Sequence, residues 1–296
     1  CAKIRNAHPL IGPMYESLIL SIPVKLSAAP SRIANPQQSA RFALWNLGFR
    51  PFYLLATFFG ALSVLLWSGQ YAGFLPIIYA GGSHLHAHEM LFGYTAAVIA
   101  GFLLTAVRNW TGQPTPTGVS LMALALLWVA GRVLILTPLG IAAALVNAAF
   151  PAAVAVAIAI PLIKAGNIRN YFFIGLLILI SVLTLLVHLP LPQRLGFAPG
   201  VVLQLVLDVV LFIMAVMGGR VIPMFTNNAI PGAPATRRMS IERLALGSVI
   251  ALFVADLMQL DAILVSVIAF AAALVHGVRL FLWRPLRTVT TPLVWI

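Results

Sequence analysis

The chain has 296 residues, 61% of them hydrophobic and only 8% charged, with a formal net charge of +12. A mean hydropathy of +1.03 excludes a soluble globular domain, because so apolar a surface requires a lipid-like solvent. The basic excess would resemble a nucleic-acid footprint in a soluble chain, but here its distribution along the chain assigns it to membrane topology.

Residues 1–50 hold Lys3, Arg5, Lys25, Arg32, Arg41 and Arg50 and read as a basic, cytoplasmic, partly disordered segment. The apolar stretch 17–24 is too short to span, and Lys25 interrupts it as a signal peptide. Cys1 is the single cysteine, so neither an internal disulfide nor a thiolate metal cluster is available. Its position raises a lipidated terminus. The basic residues that follow place it on the cytoplasmic side, which favours a truncated or mis-started reading frame.

Residues 51–296 read as a single transmembrane domain. Apolar runs predict spans at roughly 51–73, 86–107, 119–137, 141–163, 171–189, 199–218, 244–260 and 262–282. Their lengths suit helices, not the alternating strands of a barrel. The expected fold is therefore all-α, a polytopic helical bundle of about eight spans. With the amino terminus inside, sixteen of the eighteen Lys and Arg fall on the inner side, Arg194 alone lies in an outer loop, and Arg132 lies within a span. That asymmetry predicts both termini in the cytoplasm. The basic side would contact anionic lipid headgroups, and nucleic acid is not expected as a partner.

The densest chemistry is HLHAHEM, residues 84–90, at the predicted outer mouth of span 2. On a regular helix, His84 and His88 share one face while His86 shares another with Glu89. Continuing the His86 face inward meets Gly93, Ala97 and Gly101. This stripe reads either as close small-xxx-small helix packing or as a slot for a flat macrocycle held by His86 or His88 and a histidine from another helix. His188, predicted at the same depth at the end of span 5, is the first partner to test. Asp256 and Asp261 flank the outer turn between spans 7 and 8, Arg132 lies in the outer half of span 3, Asp208 near mid-membrane in span 6, and His276 in the inner half of span 8. Ionisable groups at such depths face the bundle interior and mark either function or an interhelical bond that holds the packing.

Imidazoles suit iron, copper or zinc, and the lack of a second carboxylate beside the cluster weakens magnesium, calcium or manganese. HLHAHEM lacks the HExxH order of a zinc peptidase, because its glutamate follows the histidines. Phosphate-loop, nucleophile-elbow and dinucleotide patterns are missing, as is a quinone or cytochrome docking motif. Two further segments stand out: RNWTGQPTPTG at 108–118 and GGRVIPMFTNNAIPG at 218–232. They read as interfacial anchors and turns, or as places where Arg108 and Arg220 pair with heme propionates or a substrate anion.

The segments WNLGFRPFYLL (45–55), HAHEMLFGYTAAVIAGFLLTAVRNWTGQP (86–114), LLWVAGR (126–132) and GGRVIPMFTNN (218–228) resemble the signature blocks of the NnrS family. The resemblance implies a heme-containing, copper-associated bacterial inner-membrane protein that protects against nitrosative stress in or near denitrification. It carries over His86, His88, Glu89, Arg108, Asn109, Trp110, Arg132 and Arg220; His84 is extra to the block. It also implies about four further spans after TPLVWI, so the domain is expected to be truncated at its carboxy-terminal end.

The candidate cofactor-binding side chains are thus His86, His88, His188, Arg108, Arg132 and Arg220, and the candidate metal ligands are His84, His86, His88, Glu89 and His276. The expected function is to bind or redox-process nitric oxide or its metal complexes. The alternative is a transporter that moves protons or a solute past the buried His, Asp and Arg groups.

Overall fold

The computed structural model describes residues 43–75, 83–230, 232 and 235–289. The basic segment 1–42 and the end of the chain after Val289, including TPLVWI, lie outside the described residues. Every described element is helical, and eight helices of sixteen residues or more follow one another in the expected places. They are α1 (Phe49–Tyr71), α2 (Ser83–Thr111), α3 (Val119–Leu134), α4 (Gly140–Lys164), α5 (Phe172–His188), α6 (Val201–Ala229), α7 (Met239–Leu257) and α8 (Ala262–Leu282).

Six of these, all but α3 and α7, are long and apolar enough to cross a membrane. At sixteen residues α3 is about 24 Å long, ending in a turn at Ile135 and Leu136 just before the expected end of its span. Helix α7 carries Glu242, Arg243 and Asp256, and Glu242 is buried against a partner from α8. The largest departure from expectation is α6, which continues past residue 218 as far as Ala229. Its two glycines and Pro223 look like helix breakers in isolation, but the helix runs on through them, with Gly219 packed directly on Arg279 of α8.

Neighbours in sequence pack as neighbours in space: α1 on α2, α3 on α4, α4 on α5, α5 on α6, α6 on α7 and α7 on α8, with α2 also against α4. The apolar core runs through the first six helices, where Phe52, Leu103, Leu104, Val154, Ile158, Phe173 and Val206 are fully enclosed. Helices α2 and α4 are the most enclosed, with 56% of their spanning windows buried against 17% in α1 and 11% in the last span. Polar groups on the enclosed faces of α2 and α4 are thus inside the bundle, whereas the apolar outer faces of α1 and α8 are suited to lipid.

Within α2, residues Glu89–Thr95 form a π-helical stretch between the α-helical Ser83–His88 and Ala96–Thr111. Such insertions widen one turn and shift every side chain before them around the axis. The stretch packs against α1, α3 and α6, and the Trp128 indole N–H of α3 donates to the Gly93 carbonyl at 3.0 Å. The helix closes at Gly112, whose φ of 65° is the left-handed conformation that suits glycine. At the same end the Thr105 hydroxyl accepts from the Phe49 N–H at 3.1 Å, which ties the start of α1 to α2.

Candidate functional site

The site begins where α2 changes from α to π geometry. Glu89 is the first π residue and His88 the last α residue, and both side chains are buried. The His88 Nδ1 lies 2.7 Å from Glu89 Oε1. Arg132 Nη1 of α3 donates to Glu89 Oε2 at 2.9 Å, and Arg132 Nη2 donates to Asn147 Oδ1 of α4. Asn147 is held in turn, because its Nδ2 donates to the carbonyls of Ala143 at 2.8 Å and Gly131 at 3.3 Å. On the far side, His88 Nε2 approaches His188 Nε2 of α5 to 3.1 Å.

A connected line of polar groups therefore runs from α4 through α3 and α2 to α5. All but His188 are buried, with Arg132 only 7% exposed. Arg132 is also flanked by the rings of Phe59 and Trp128, with its guanidinium carbon 5.8 and 5.9 Å from their centroids. A charge removed from water this completely is tolerated only with a partner, and Glu89 is that partner. With Glu89 ionised, His88 donates from Nδ1 and keeps a lone pair on Nε2, so the hydrogen bond to His188 requires a proton on His188 Nε2.

The remaining candidates are dispersed. His84 is exposed. His86 turns toward α1, where its ring stacks on Trp67 at 4.4 Å and 26°. His276 reaches the Ala245 carbonyl of α7 at 3.2 Å. Arg108 is exposed, and Arg220 donates to Asn170 Oδ1 at 2.7 Å while lying over Phe172 and Phe173. Nineteen residues of helix separate Glu89 from Arg108, roughly 28 Å, so no single cofactor held at His88 reaches the arginines at both ends. Asp261 caps α8 by accepting from Ile263 and Leu264 at 3.0 and 3.1 Å. Asp208 accepts from Gln204 at 3.3 Å and faces Asp256 of α7.

The stripe Gly93, Ala97 and Gly101 is filled by protein. A Cβ at Gly93 would collide with Phe59, one at Gly101 would lie 3.0 Å from Phe52 and Tyr53, and Ala97 is fully enclosed. Close helix packing is what the stripe provides, and α1 occupies the space a macrocycle would need.

The separation of the two imidazoles also tests which metal group the residues fit. Two nitrogens at metal-bonding distance from one ion and 3.1 Å apart subtend about 100°, whereas axial ligands on opposite faces of a heme stand about 4 Å apart. The pair therefore fits adjacent positions on a single ion and does not fit a macrocycle sandwiched between them. Among the described residues no three His, Cys, Asp or Glu side chains converge as a ligand group, since Glu89 is committed to Arg132.

The NnrS family model, described as NnrS protein, matches residues 43–296. The chain belongs to the NnrS family. No curated protein and no solved structure matches it. The NnrS match begins at the first residue of the chain's first short helix, Ala43–Asn46, and covers all eight helices together with His88, Glu89, Arg132, Asn147 and His188.

Asn147, Trp67 and Trp128 escaped the sequence reading. Asn147 had a usable signal, as the one polar side chain in a long run of Ala, Val, Ile and Leu across 140–163. Glu242 and Arg279 were hidden differently, in a polar stretch and in a tally of topology charges. They form a second buried ion pair, with Arg279 Nε and Nη2 donating to Glu242 Oε1 and Oε2 at 3.0 and 2.7 Å.

Proposed function

We propose that this NnrS chain is a multi-pass bacterial inner-membrane protein of the nitric oxide response, with α3 and α7 completing eight spans and both termini cytoplasmic. In that orientation the His88–His188 pair lies toward the extracytoplasmic side, and the basic inner ends meet anionic lipid. The protein binds or redox-processes nitric oxide or its metal complexes.

The observation that carries this reading is the approach of His88 and His188 at 3.1 Å, backed by a buried Glu89–Arg132–Asn147 line. Of the two cofactors the family implies, copper is the one this pair suits, because imidazoles offer two adjacent positions to one ion. A heme would have to take a single histidine here and lie away from the filled α1–α2 interface. When bound, such a metal supplies an open position for nitric oxide and a route for one electron. The protein's part is to hold the donors: Glu89 accepts from His88 Nδ1 and so fixes the tautomer that leaves Nε2 free to bind, and Arg132 holds Glu89 ionised and oriented. An anaerobic reduced-minus-oxidised spectrum with metal analysis, on wild type and His88→Ala, tests the reading. Wild type should carry metal and change its spectrum with nitric oxide, and His88→Ala should lose both; protein made with ample heme and copper that carries neither refutes the cofactor assignment.

A second reading, translocation of protons or a solute, is favoured by Asp208, whose buried carboxyl in α6 faces the carboxyl of Asp256 in α7. An ionisable group in that state inside a membrane bundle marks a path for protons or ions. Asp208→Asn should abolish proton flux in reconstituted vesicles if this reading holds, while leaving any metal spectrum unchanged.

A further inference from the structure

A cavity of ≈160 Å³ lies between α1, the start of α2 and α3, on the His86 side of the Glu89–Arg132 pair. We infer that this cavity is a binding site for a flat, uncharged ring bearing a carbonyl acceptor, the headgroup of a membrane-soluble quinone. The inference does not rest on the metal reading: the cavity shares Glu89 and Arg132 with that site, but His88 and His188 are not among the described residues that line it.

Four observations select this class of ligand. The first is volume: an apolar cavity of about 150 Å³ holds one benzene ring, and this one is of that size. The second is charge. Arg132 and Glu89 both line the cavity and are ion-paired to each other at 2.9 Å, so the site is electrically balanced and neither an anion nor a cation gains by entering. The third is hydrogen bonding. Arg132 uses Nη1 and Nη2 on Glu89 and Asn147, which leaves its Nε buried with no partner, and His86 Nδ1 is likewise buried and unpartnered. A guanidinium N–H only donates, so the missing partner is an acceptor, and burying that N–H unpaired costs on the order of 1–3 kcal/mol that a ligand carbonyl would restore. The fourth is shape. Trp67 and His86 line the cavity as a stacked pair at 4.4 Å and 26°, a flat face against which a ring can lie.

The rim supports the route of entry. Leu75 and Leu136 line the cavity and are 40% and 43% exposed, so an apolar molecule dissolved in the bilayer reaches the site past leucine side chains. The wall deeper in is Phe59, Leu85 and Ile135, all buried. Membrane solubility, neutrality, a flat ring and a carbonyl oxygen coincide in a quinone.

The test compares duroquinone with durene, which has the same tetramethyl ring without the carbonyls, on the purified, detergent-solubilised chain. Binding is followed through the rise in unfolding temperature with ligand concentration. Duroquinone should bind saturably, and durene more weakly on the order of tenfold or beyond, because it leaves Arg132 Nε unpaired. Ser63→Leu, which places an isobutyl group from α1 into the cavity, and Leu136→Trp, which covers the rim from outside the core, should each abolish the shift. His188→Ala should leave it intact whatever happens to metal or nitric oxide binding. Non-saturable binding of duroquinone overturns the proposal, as does equal binding of durene, or an undiminished duroquinone shift in folded Leu136→Trp.

Discussion

At the residue scale, the chemistry of this protein turns on Arg132. Its guanidinium is buried among Phe59, Trp128, Glu89 and Asn147, so each neighbour exists in relation to a charge that cannot leave. Glu89→Gln keeps the side-chain shape and removes the counter-charge. It should therefore cost about 3–5 kcal/mol, the range for breaking one side of a buried ion pair, read as a large fall in thermal midpoint. His188→Gln, at the partly exposed end of the same line, should cost far less stability while abolishing metal binding. If the two variants were equally destabilised, the line would be a packing device and His88 would have no separate role. Nothing in the identity of Arg132 distinguishes it in the sequence from the arginines of the inner loops except its depth. Depth was enough to place it inside the bundle, though not to choose Glu89 over Asp208 as its partner.

At the element scale, the π stretch Glu89–Thr95 and the α6–α8 crossing carry most of the specificity. A regular α2 would put His88 and Glu89 about 100° apart and aim them at different neighbours, which is how the spacing reads on paper. The adjacent side chains nevertheless meet at 2.7 Å, and the extra residue in the widened turn sets how that pair is rotated relative to the rest of α2. Deleting Met90 should restore α geometry, rotate Ser83–Glu89 relative to the rest of α2, and separate His88 from His188. Helix content by circular dichroism should barely change, while metal content falls to that of His88→Ala. At α6, Gly219 lies where Arg279 reaches Glu242 and the Ala215 carbonyl, the latter at 2.8 Å. Any Cβ there meets the guanidinium, so Gly219→Leu should displace Arg279, only 2% exposed, and lower stability by several kcal/mol, roughly the cost of an uncompensated buried charge. Replacing Glu242 and Arg279 together with methionine in that background should recover much of the loss, measured by thermal unfolding.

At the scale of the whole molecule, topology decides what the site can meet. If sixteen of the eighteen basic residues face the inner side, as the proposed topology assigns them, then in a Cys1→Ser background a cysteine at Arg194 is labelled by a membrane-impermeant maleimide added outside intact cells. A cysteine at Arg108 should be labelled only after lysis. The reverse pattern would put the His88–His188 pair on the cytoplasmic side. The presence and order of the helices were legible in the sequence, because the length and continuity of an apolar run are local properties that the bilayer reads directly; the end of α6, which runs on to Ala229, was not. The same reasoning located the His, Glu and Arg groups in depth and singled out His188 as the partner to examine.

What remained open were the choices made between helices. Whether the Gly93–Ala97–Gly101 stripe is a slot or a seam depends on what α1 places against it, and Phe52, Tyr53 and Phe59 close it. Whether Asn147 is an isolated polar residue or the anchor of an arginine depends on the α3–α4 contact, and the cavity beside His86 exists only once α1, α2 and α3 are packed. Hydrophobicity and charge set the class, the spans and the candidate residues because they act on each segment in turn. Partnership, rotation about a helix axis and enclosed space arise from contacts between segments far apart in the chain, and a local pattern holds no record of them.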